Sequence, residues 1–456
     1  MSGNWASIPL SSLSDEQTSF IKTVLTHKDR SHFLSGCAGS GKSVIAAHVL
    51  QILKENNPDF SCSMIVFTKL LSKFISDGFK EVDDSMMQDV GHFHQRLTKG
   101  YQQKHTDMSI IDEFQDFRSS WIRNVKSTSN SQIWLGDPTQ QIYQDAKNDN
   151  GVSTLYSEFE NSHTKLTTNY RNSISVAQLA KHFMVTHEFE KMELEKKVND
   201  FLFPIFKNPQ QTADSKNLPN IFIKASNEEE EFDMIANIIK EKINSDEPRT
   251  HIAVAQLHNK DVDKVNKKLI DRGVDTFRVI TRKGSEQLPD FNQRKLVMLS
   301  TIHSLKGLEV DYVIFPRTEE DKIDFWTDYD PDILENLLYV LFTRARARIY
   351  CSYVDENESL IYNKVFGKYQ NSGLINDEED MKSYFNFLDI NDFSSSVKTS
   401  YNISDYGGGN NGSSNEQFKT FEDISLQDVR RNVSRSKSIE EQINNYFKNF
   451  DDEDID

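Results

Sequence analysis

Eight residues near the start of the chain have the types and spacing of a phosphate-binding loop. Residues 36–43 read GCAGSGKS, which fits the pattern G-x-x-x-x-G-K-[ST]. Glycines allow the backbone to curl so that several N–H groups point at one phosphate. An apolar, strand-like run precedes the loop and a helix-like run follows it, and a helix N-terminus adds partial positive charge. This segment predicts a site for the phosphates of a nucleotide.

Two side chains of this loop add chemistry to what its backbone can do. Lys42 can reach the β- and γ-phosphates, and the Ser43 hydroxyl can hold Mg²⁺. The predicted phosphate contacts are Gly36, Gly39, Ser40, Gly41, Lys42 and Ser43. The loop by itself does not separate a kinase, a GTPase, a transporter ATPase and a motor.

A pair of carboxylates follows another apolar, strand-like run. In SIIDEFQD, Asp112 and Glu113 would lie at the carboxyl edge of a sheet and face the phosphate loop. One carboxylate can hold Mg²⁺ through water, and its neighbour can activate the attacking water. An acidic pair after a strand is about as often a solvated loop, so this assignment depends on the rest of the chain.

Three further polar residues lie in segments that could act on a γ-phosphate. Gln140, in WLGDPTQQIY, could orient the nucleophilic water. Arg171, in LTTNYRNS, and Arg344, in LLYVLFTRARAR, are candidate arginine fingers. Taken singly, each arginine is more simply explained by a surface salt bridge.

The composition favours a cytoplasmic protein without a strongly basic face. The chain has 456 residues, a net charge of −17 and no apolar run long enough to span a bilayer. Its three cysteines are far apart in the sequence, which predicts neither a disulfide framework nor a zinc site. The first residues lack the charged start and apolar centre of a secretory signal. About half of the net negative charge, −9 of −17, lies after residue 356, so the body can still line one groove with lysines.

Strand-like and helix-like runs alternate through most of the chain, which is typical of parallel α/β sheets. We predict two lobes, the first at 1–185 and the second at 218–356, joined by an inter-lobe connection at 186–217. After the second lobe we predict a low-complexity C-terminal extension at 357–405, a flexible Gly/Ser linker at 406–418 and an acidic amphipathic tail at 419–456. The tail holds a helix-like segment, SIEEQINNYFKNF, with one apolar face. It is either a small helix docked on the body or a hook for a partner.

In their order and spacing, these segments resemble the UvrD/Rep-like branch of the superfamily 1 helicases. The resemblance covers about residues 13–353, through the segments LSDEQ, VFTK, GHFHQ, DEFQD, GDPTQQIY, NYRNS, STIHSLKGLEVDYVIFP and LLYVLFTRARAR. It implies two tandem RecA-like P-loop lobes with parallel sheets. It also implies ATP and Mg²⁺ as cofactors, and single-stranded DNA as the track for 3′→5′ movement.

The resemblance further implies roles for individual residues. For the chemistry, Ser43 and Asp112 hold Mg²⁺, Glu113 is the general base and Gln140 couples the γ-phosphate to movement. The remaining nucleotide contacts are Gln17 and Tyr170 on the adenine, Glu309 on the ribose, and Arg171 and Arg344 on the γ-phosphate. The expected strand contacts are Phe67, Thr68, His94 and His303.

The chain departs from that family in four places. There is no room for the usual helical insertion between GHFHQ and SIIDE, or for the larger one before KGLE, so autonomous unwinding is in doubt. The family's base-stacking Trp after GDxxQSIY is missing, because QDAKNDN follows Tyr143 here. One base–aromatic stack is worth roughly 1–3 kcal/mol, so the grip on the strand is weaker or comes from a partner. The basic residue that often precedes LLYV is also replaced, by LEN.

These observations favour an ATP-hydrolysing motor on single-stranded DNA, a translocase or a helicase that acts with a partner protein or by self-assembly, away from membranes. A different interpretation is a nucleotide-gated switch that controls assembly of a protein complex without processive movement. Another is an RNA-directed motor. Stimulation of ATP hydrolysis by single strands separates a motor from a switch, and competition between matched DNA and RNA oligonucleotides separates the two motors.

Overall fold

The computed structural model describes the chain in blocks separated by gaps. The described residues are 5–80, 83–93, 105–143, 149, 151–159, 162–181, 183, 220–282, 285–319, 331–354, 361 and 385–389. The predicted inter-lobe connection, Gly/Ser linker and amphipathic tail lie outside them. Within these blocks, no helix has both the length and the apolar character needed to cross a membrane.

The first half of the chain forms a parallel sheet. Its strands are β1 His32–Gly36, β2 Cys62–Val66, β3 Val90–His92, β4 Thr106–Ile111, β5 Ser129–Gly136 and β6 His163–Leu166. Their order across the sheet is β3-β2-β4-β5-β1-β6, with parallel pairing throughout. Because the strands run the same way, the loops that follow β1, β4 and β5 meet at one edge. We call this sheet and its helices lobe 1.

The helices of lobe 1 connect these strands. They are α1 Asp15–Thr26, α2 Lys42–Asn56, α3 Lys69–Lys80, α4 Ser119–Thr128, α5 Gly151–Glu158 and α6 Ile174–Lys181. α1 begins with a capping box, in which the Ser14 side chain and the Gln17 side chain each bind the other residue's backbone N–H. α6 packs extensively against elements of the second half of the chain, which α3 also contacts.

The second sheet is also parallel. Its strands are β7 Asn220–Ala225, β8 Thr250–Gln256, β9 Phe277–Arg278, β10 Lys295–Thr301, β11 Val310–Phe315, β12 Ala345–Val354 and β13 Phe385–Asp389, in the order β13-β7-β12-β11-β8-β10-β9. Its helices are α7 Glu228–Ile243, α8 Asn259–Asp271, α9 Ile302–Leu305 and α10 Pro331–Phe342. We call this unit lobe 2. β13 comes from the segment predicted as a C-terminal extension, and it pairs with β7.

The two lobes share a continuous apolar core, and α3 lies at their contact. The loop between β9 and β10, residues 279–294, packs on this helix: the rings of Phe74 and Phe291 meet edge to face with centroids 5.2 Å apart. The Phe291 N–H donates to Asp77 Oδ2 over 3.0 Å. On the same helix, Leu71 Cδ2 would lie only 2.6 Å from a Cβ added to Gly307 of lobe 2. This close approach requires glycine at position 307.

The predicted fold class, two RecA-like lobes with parallel sheets, is confirmed. β3 ends at His92 and β4 begins at Thr106, and β9 ends at Arg278 while β10 begins at Lys295. Both intervals are too short for an inserted domain, as the sequence predicts for these two positions. The domain boundaries given above remain predictions.

We expect Phe291→Ala to destabilise the protein by about 3–5 kcal/mol, because Phe291 is 2 % exposed and fills a position between the lobes. Ile270→Ala is the matched control, since Ile270 is 52 % exposed on α8, and its change should stay within about 0.5 kcal/mol. Chemical denaturation measures both variants. A loss for Phe291→Ala no larger than that for Ile270→Ala would contradict the packing described here.

Candidate active site

The phosphate loop joins the end of β1 to the start of α2, as its sequence predicts. Gly39 and Gly41 have φ values of +73° and +89°, in the left-handed region that favours glycine. A Cβ on Gly39 would lie 2.4 Å from Asn169 Oδ1, and one on Gly41 would lie 2.3 Å from Gln17 Nε2. Both positions therefore need glycine for conformation and for space.

The polar groups of the loop fit a bound phosphate and its metal ion. The Lys42 ammonium donates to the carbonyls of Gly36 and Cys37 over 2.7 and 3.1 Å, which keeps it at the mouth of the loop. The Ser40 hydroxyl is buried and has no hydrogen-bond partner within the described part of the chain. Ser43 Oγ donates to Asp112 Oδ2 over 2.8 Å. A hydroxyl beside a carboxylate is an oxygen donor set of the kind that Mg²⁺ prefers.

Asp112 and Glu113 follow β4 at the sheet edge, directly opposite the loop. Burial and the neighbouring Glu113 charge raise the pKa of Asp112 to about 6, although Ser43 and Lys42 act against this rise. Glu113 has φ +60°, an unusual value for a residue other than glycine. Strained backbone of this kind clusters at functional sites, where the surrounding structure holds it. The surrounding structure thus holds Glu113 in a strained conformation beside Asp112.

Glu113 stays ionised because cations surround it. Burial raises the pKa of its carboxyl, but Lys306, Lys42 and Arg344 outweigh burial, and the net pKa is lowered. The Gln115 amide donates to Glu113 Oε2 and fixes its orientation. A charged carboxylate held in this way can accept a proton from water, as the predicted general base must.

Gln140 and Arg344 meet across the lobes. Arg344 Nη2 donates to Gln140 Oε1 over 2.7 Å, while the Gln140 amide donates to Asp137 Oδ2 over 2.8 Å. The arginine is fixed from its own lobe, because its Nε donates to the Val340 carbonyl over 2.8 Å. It is 2 % exposed, and burial together with the charge of Arg171 lowers its pKa to about 10. Arg344 is therefore still a cation at neutral pH.

Arg171 and Glu309 form a second contact across the lobes. Arg171 Nε donates to Glu309 Oε2 over 3.1 Å. Burial raises the pKa of Glu309, but the charges of Arg171 and other arginines outweigh burial, so the net pKa is lowered. Two residues predicted to contact different parts of ATP therefore bind each other here. Two further predicted nucleotide contacts touch the phosphate loop itself: the Tyr170 N–H donates to the Gly39 carbonyl over 2.8 Å, and Gln17 Nε2 donates to the Ser40 carbonyl over 2.9 Å.

Sequence reasoning missed Lys306, which enters the same site from lobe 2. Its side chain is 1 % exposed, lies 2.6 Å from Asp116 Oδ2 and 3.9 Å from Glu113 Oε2, and donates to the Gln140 carbonyl. Burial raises the pKa of Asp116 to about 7, although Lys306 acts against this rise. A signal was present in the sequence, since Lys306 is the lysine of the KGLE segment, but only Glu309 of that segment was assigned a role.

The residues predicted to contact a strand lie at the carboxyl edges of both sheets, apart from His94, which is outside the described residues. Phe67 stacks on Phe93 with ring centroids 4.9 Å apart and an angle of 13° between the planes. The Thr68 hydroxyl accepts from the Leu71 N–H over 3.0 Å and so caps the start of α3. His303 packs against Tyr143 with centroids 5.7 Å apart, and burial lowers its pKa to about 4. It is therefore neutral at physiological pH.

Comparison with known proteins places this arrangement in a family. A family model described as Schlafen group 3, DNA/RNA helicase domain, matches residues 30–316, which is more than half of the chain. The chain belongs to the Schlafen group 3 DNA/RNA helicase domain family. A second model, described as the UvrD-like helicase C-terminal domain, matches residues 281–356. The resemblance to UvrD-like helicases is thereby confirmed for this Schlafen group 3 helicase domain.

One solved structure that resembles the Schlafen group 3 domain is the C-terminal domain of a possible DNA helicase from Lactobacillus plantarum WCFS1. It is 18% identical, and the match covers 43% of this chain and 94% of that chain with a TM-score of 0.29. A superposition as loose as this has no bearing on function. No curated protein matches the chain.

Helicases are motors that use ATP on nucleic acid, and the matched families assign this chain to that class. The class accounts for a phosphate loop, an acidic pair and an arginine from the opposite lobe in one cleft. Membership of this class does not by itself explain Lys306. Burying this cation among carboxylates costs free energy unless every charge is compensated.

Lys306→Met should destabilise the protein by about 3–5 kcal/mol, because it leaves the buried Asp116 without the cation that pairs with it. Lys306→Met combined with Asp116→Asn should recover part of the loss, since the uncompensated carboxylate is then gone. Chemical denaturation of the two single variants and the double variant gives the coupling energy. Strictly additive losses would mean that Lys306 and Asp116 do not interact.

Proposed function

We propose that the chain is a cytosolic, ATP-dependent translocase that moves 3′→5′ along single-stranded DNA and unwinds duplexes with a partner protein or a second copy of itself. The hydrogen bond from Arg344 of lobe 2 to Gln140 of lobe 1 carries this proposal. It supports a cleft in which ATP hydrolysis and the position of the two lobes depend on each other. A kinase or a simple GTPase switch has no need for a second lobe of this kind.

The residues of the cleft support roles that follow from their contacts. Gly36, Gly39, Ser40, Gly41, Lys42 and Ser43 would hold the phosphates of ATP, and Ser43 with Asp112 would hold Mg²⁺. When bound, Mg²⁺ neutralises charge on the phosphates. Glu113 takes the proton from the attacking water, and Gln140 positions that water. Arg344 and Arg171 offer their guanidinium groups to the charge that develops on the γ-phosphate.

The same two segments that line the cleft also reach the strand surface. Gln140 lies three residues before Tyr143, and Lys306 lies three residues after His303. The Lys306 ammonium binds the Gln140 carbonyl, and the rings of Tyr143 and His303 pack together. A change at the γ-phosphate that moves Gln140 or Lys306 therefore moves the rings proposed to touch the strand. This shared support is what a motor needs and what a switch without a strand does not.

A stopped-flow assay of translocation on end-labelled single strands tests this function most directly. We expect arrival times at the 5′ end that grow with strand length, together with many-fold stimulation of ATP hydrolysis by the strand. Glu113→Gln is the matched control, because it should bind ATP yet lower hydrolysis by about 10²–10⁴-fold and abolish arrival.

The other outcomes of the same assay are equally informative. ATP hydrolysis that does not respond to any strand would favour a nucleotide-gated switch. A response to RNA and not to matched DNA would favour an RNA-directed motor, which the DNA/RNA description of the family also covers.

We expect Arg344→Ala to lower kcat for ATP hydrolysis by about 10³–10⁵-fold while weakening ATP binding far less, as for an arginine finger in other phosphoryl-transfer enzymes. Arg344→Lys should recover little, because lysine lacks the planar fork that spans Gln140 and the lobe 2 carbonyls. Arg278→Ala is the control, since Arg278 pairs with Asp263 on its own lobe. Unchanged kcat in Arg344→Ala would remove the two-lobe cleft from the mechanism.

A further inference from the structure

A series of five rings in successive contact leads from α4 of lobe 1 to lobe 2. The rings belong, in order, to Trp121, Phe93, Phe67, Tyr143 and His303, and we call them the aromatic row. Successive centroids are 4.5, 4.9, 4.7 and 5.7 Å apart. Phe67 and His303 are expected strand contacts, so the row continues that surface to a residue with no assigned role, Trp121.

Trp121 is held at the far end of the row without being buried there. It is the third residue of α4 and lies partly exposed beside Phe93, which is 4 % exposed, and Phe117, which is fully buried. Its ring centroid is 6.2 Å from that of Phe67, with 46° between the planes. Two partly exposed rings thus stand side by side on a buried aromatic base. A ring that served the core alone would gain most from complete burial, as Phe117 does.

A cation accompanies the indole. The guanidinium carbon of Arg118 lies 5.2 Å from the centroid of the Trp121 ring, and Arg118 immediately precedes α4. The guanidinium thus lies over the indole, and an arginine stacked on an aromatic ring is a combination that proteins use for single strands, because both groups offer flat faces to a base and the cation attracts phosphate. This pairing favours a nucleotide as the occupant over a purely apolar partner.

We propose that Trp121 and Arg118 form a stacking site for one nucleotide of a single DNA strand, with Phe67 receiving its neighbour. The inference rests on the proposed function as a motor on single-stranded DNA. It supplies what the sequence lacks after Tyr143, where the related helicases place a Trp that stacks a base. The chain carries an indole at the same sheet edge on α4 instead.

The test compares the affinity of full-length variants for a fluorescein-labelled dT oligonucleotide at low salt. Trp121→Ala should weaken binding about 5- to 150-fold, the range for losing one base–aromatic stack, and Trp121→Phe should retain most of the affinity. Quenching of the intrinsic tryptophan fluorescence by unlabelled dT should be largely lost in Trp121→Phe, a change that a purely structural ring would not produce. Thermal unfolding of each variant identifies any loss of fold.

Arginine variants on the same helix provide the matched control. Arg118→Ala should weaken binding and reduce its salt dependence, whereas Arg123→Ala, at an exposed position of α4, should leave both unchanged. Equal affinity of Trp121→Ala and wild type overturns this inference and leaves the motor intact. A wild-type chain that binds no single strand overturns the motor as well. If Trp121→Phe loses as much affinity as Trp121→Ala, and both lose thermal stability to the same extent, Trp121 belongs to the core. If the variants change the affinity for an rU oligonucleotide and not for dT, the occupant is not DNA.

Discussion

Lys306 and Arg344 are two buried cations of lobe 2 whose side chains end among the acids and amides of lobe 1. Burying a charge is costly unless it is paired, so both side chains are stable in these positions only while the lobes touch. The dependence also runs in the other direction. Glu113 is buried, and the cations that keep its pKa low include Lys306 and Arg344. The ionised form of this carboxylate, which its proposed role requires, is therefore favoured by contact between the lobes.

The arrangement also links the cleft to the edge where a strand would lie. Parallel sheets bring the ends of β1, β4, β5 and β10 to common edges, so side chains far apart in sequence become neighbours. At each edge, one segment contributes to both regions. In lobe 1, Gln140 lies in the cleft and Tyr143 in the aromatic row. In lobe 2, the corresponding residues are Lys306 and His303. Only two residues separate the cleft member of each segment from its ring, so the two contacts share one short stretch of backbone.

Much of the fold could be predicted from sequence because its signals are local. The phosphate loop has its own pattern, and the apolar runs of buried parallel strands stand out against the charged helices between them. Contacts between distant segments have no such signal. Nothing in LTTNYRNS indicates that Arg171 pairs with Glu309, and nothing in DFRSSW places Trp121 beside Phe93, because both pairs form only once the sheets exist. β13 was missed for a related reason, since a short strand at a sheet edge is specified mainly by its pairing with β7.

The β9–β10 loop lies at the sequence position where the related helicases carry an accessory domain. In this chain it packs against α3. The Phe291 N–H of the loop donates to Asp77 of α3, and Glu286 of the loop pairs with Lys69 of the same helix. α3 begins directly after Phe67 and Thr68, two of the proposed strand contacts. The lobes thus meet at the cleft, at α3 and at α6, and the aromatic row passes from one lobe to the other. A relative movement of the lobes must then change the spacing of the rings along that row, since Tyr143 belongs to one lobe and His303 to the other. The contact between Tyr143 and His303 therefore gives a change at the nucleotide a route to the proposed strand contacts within the described lobes.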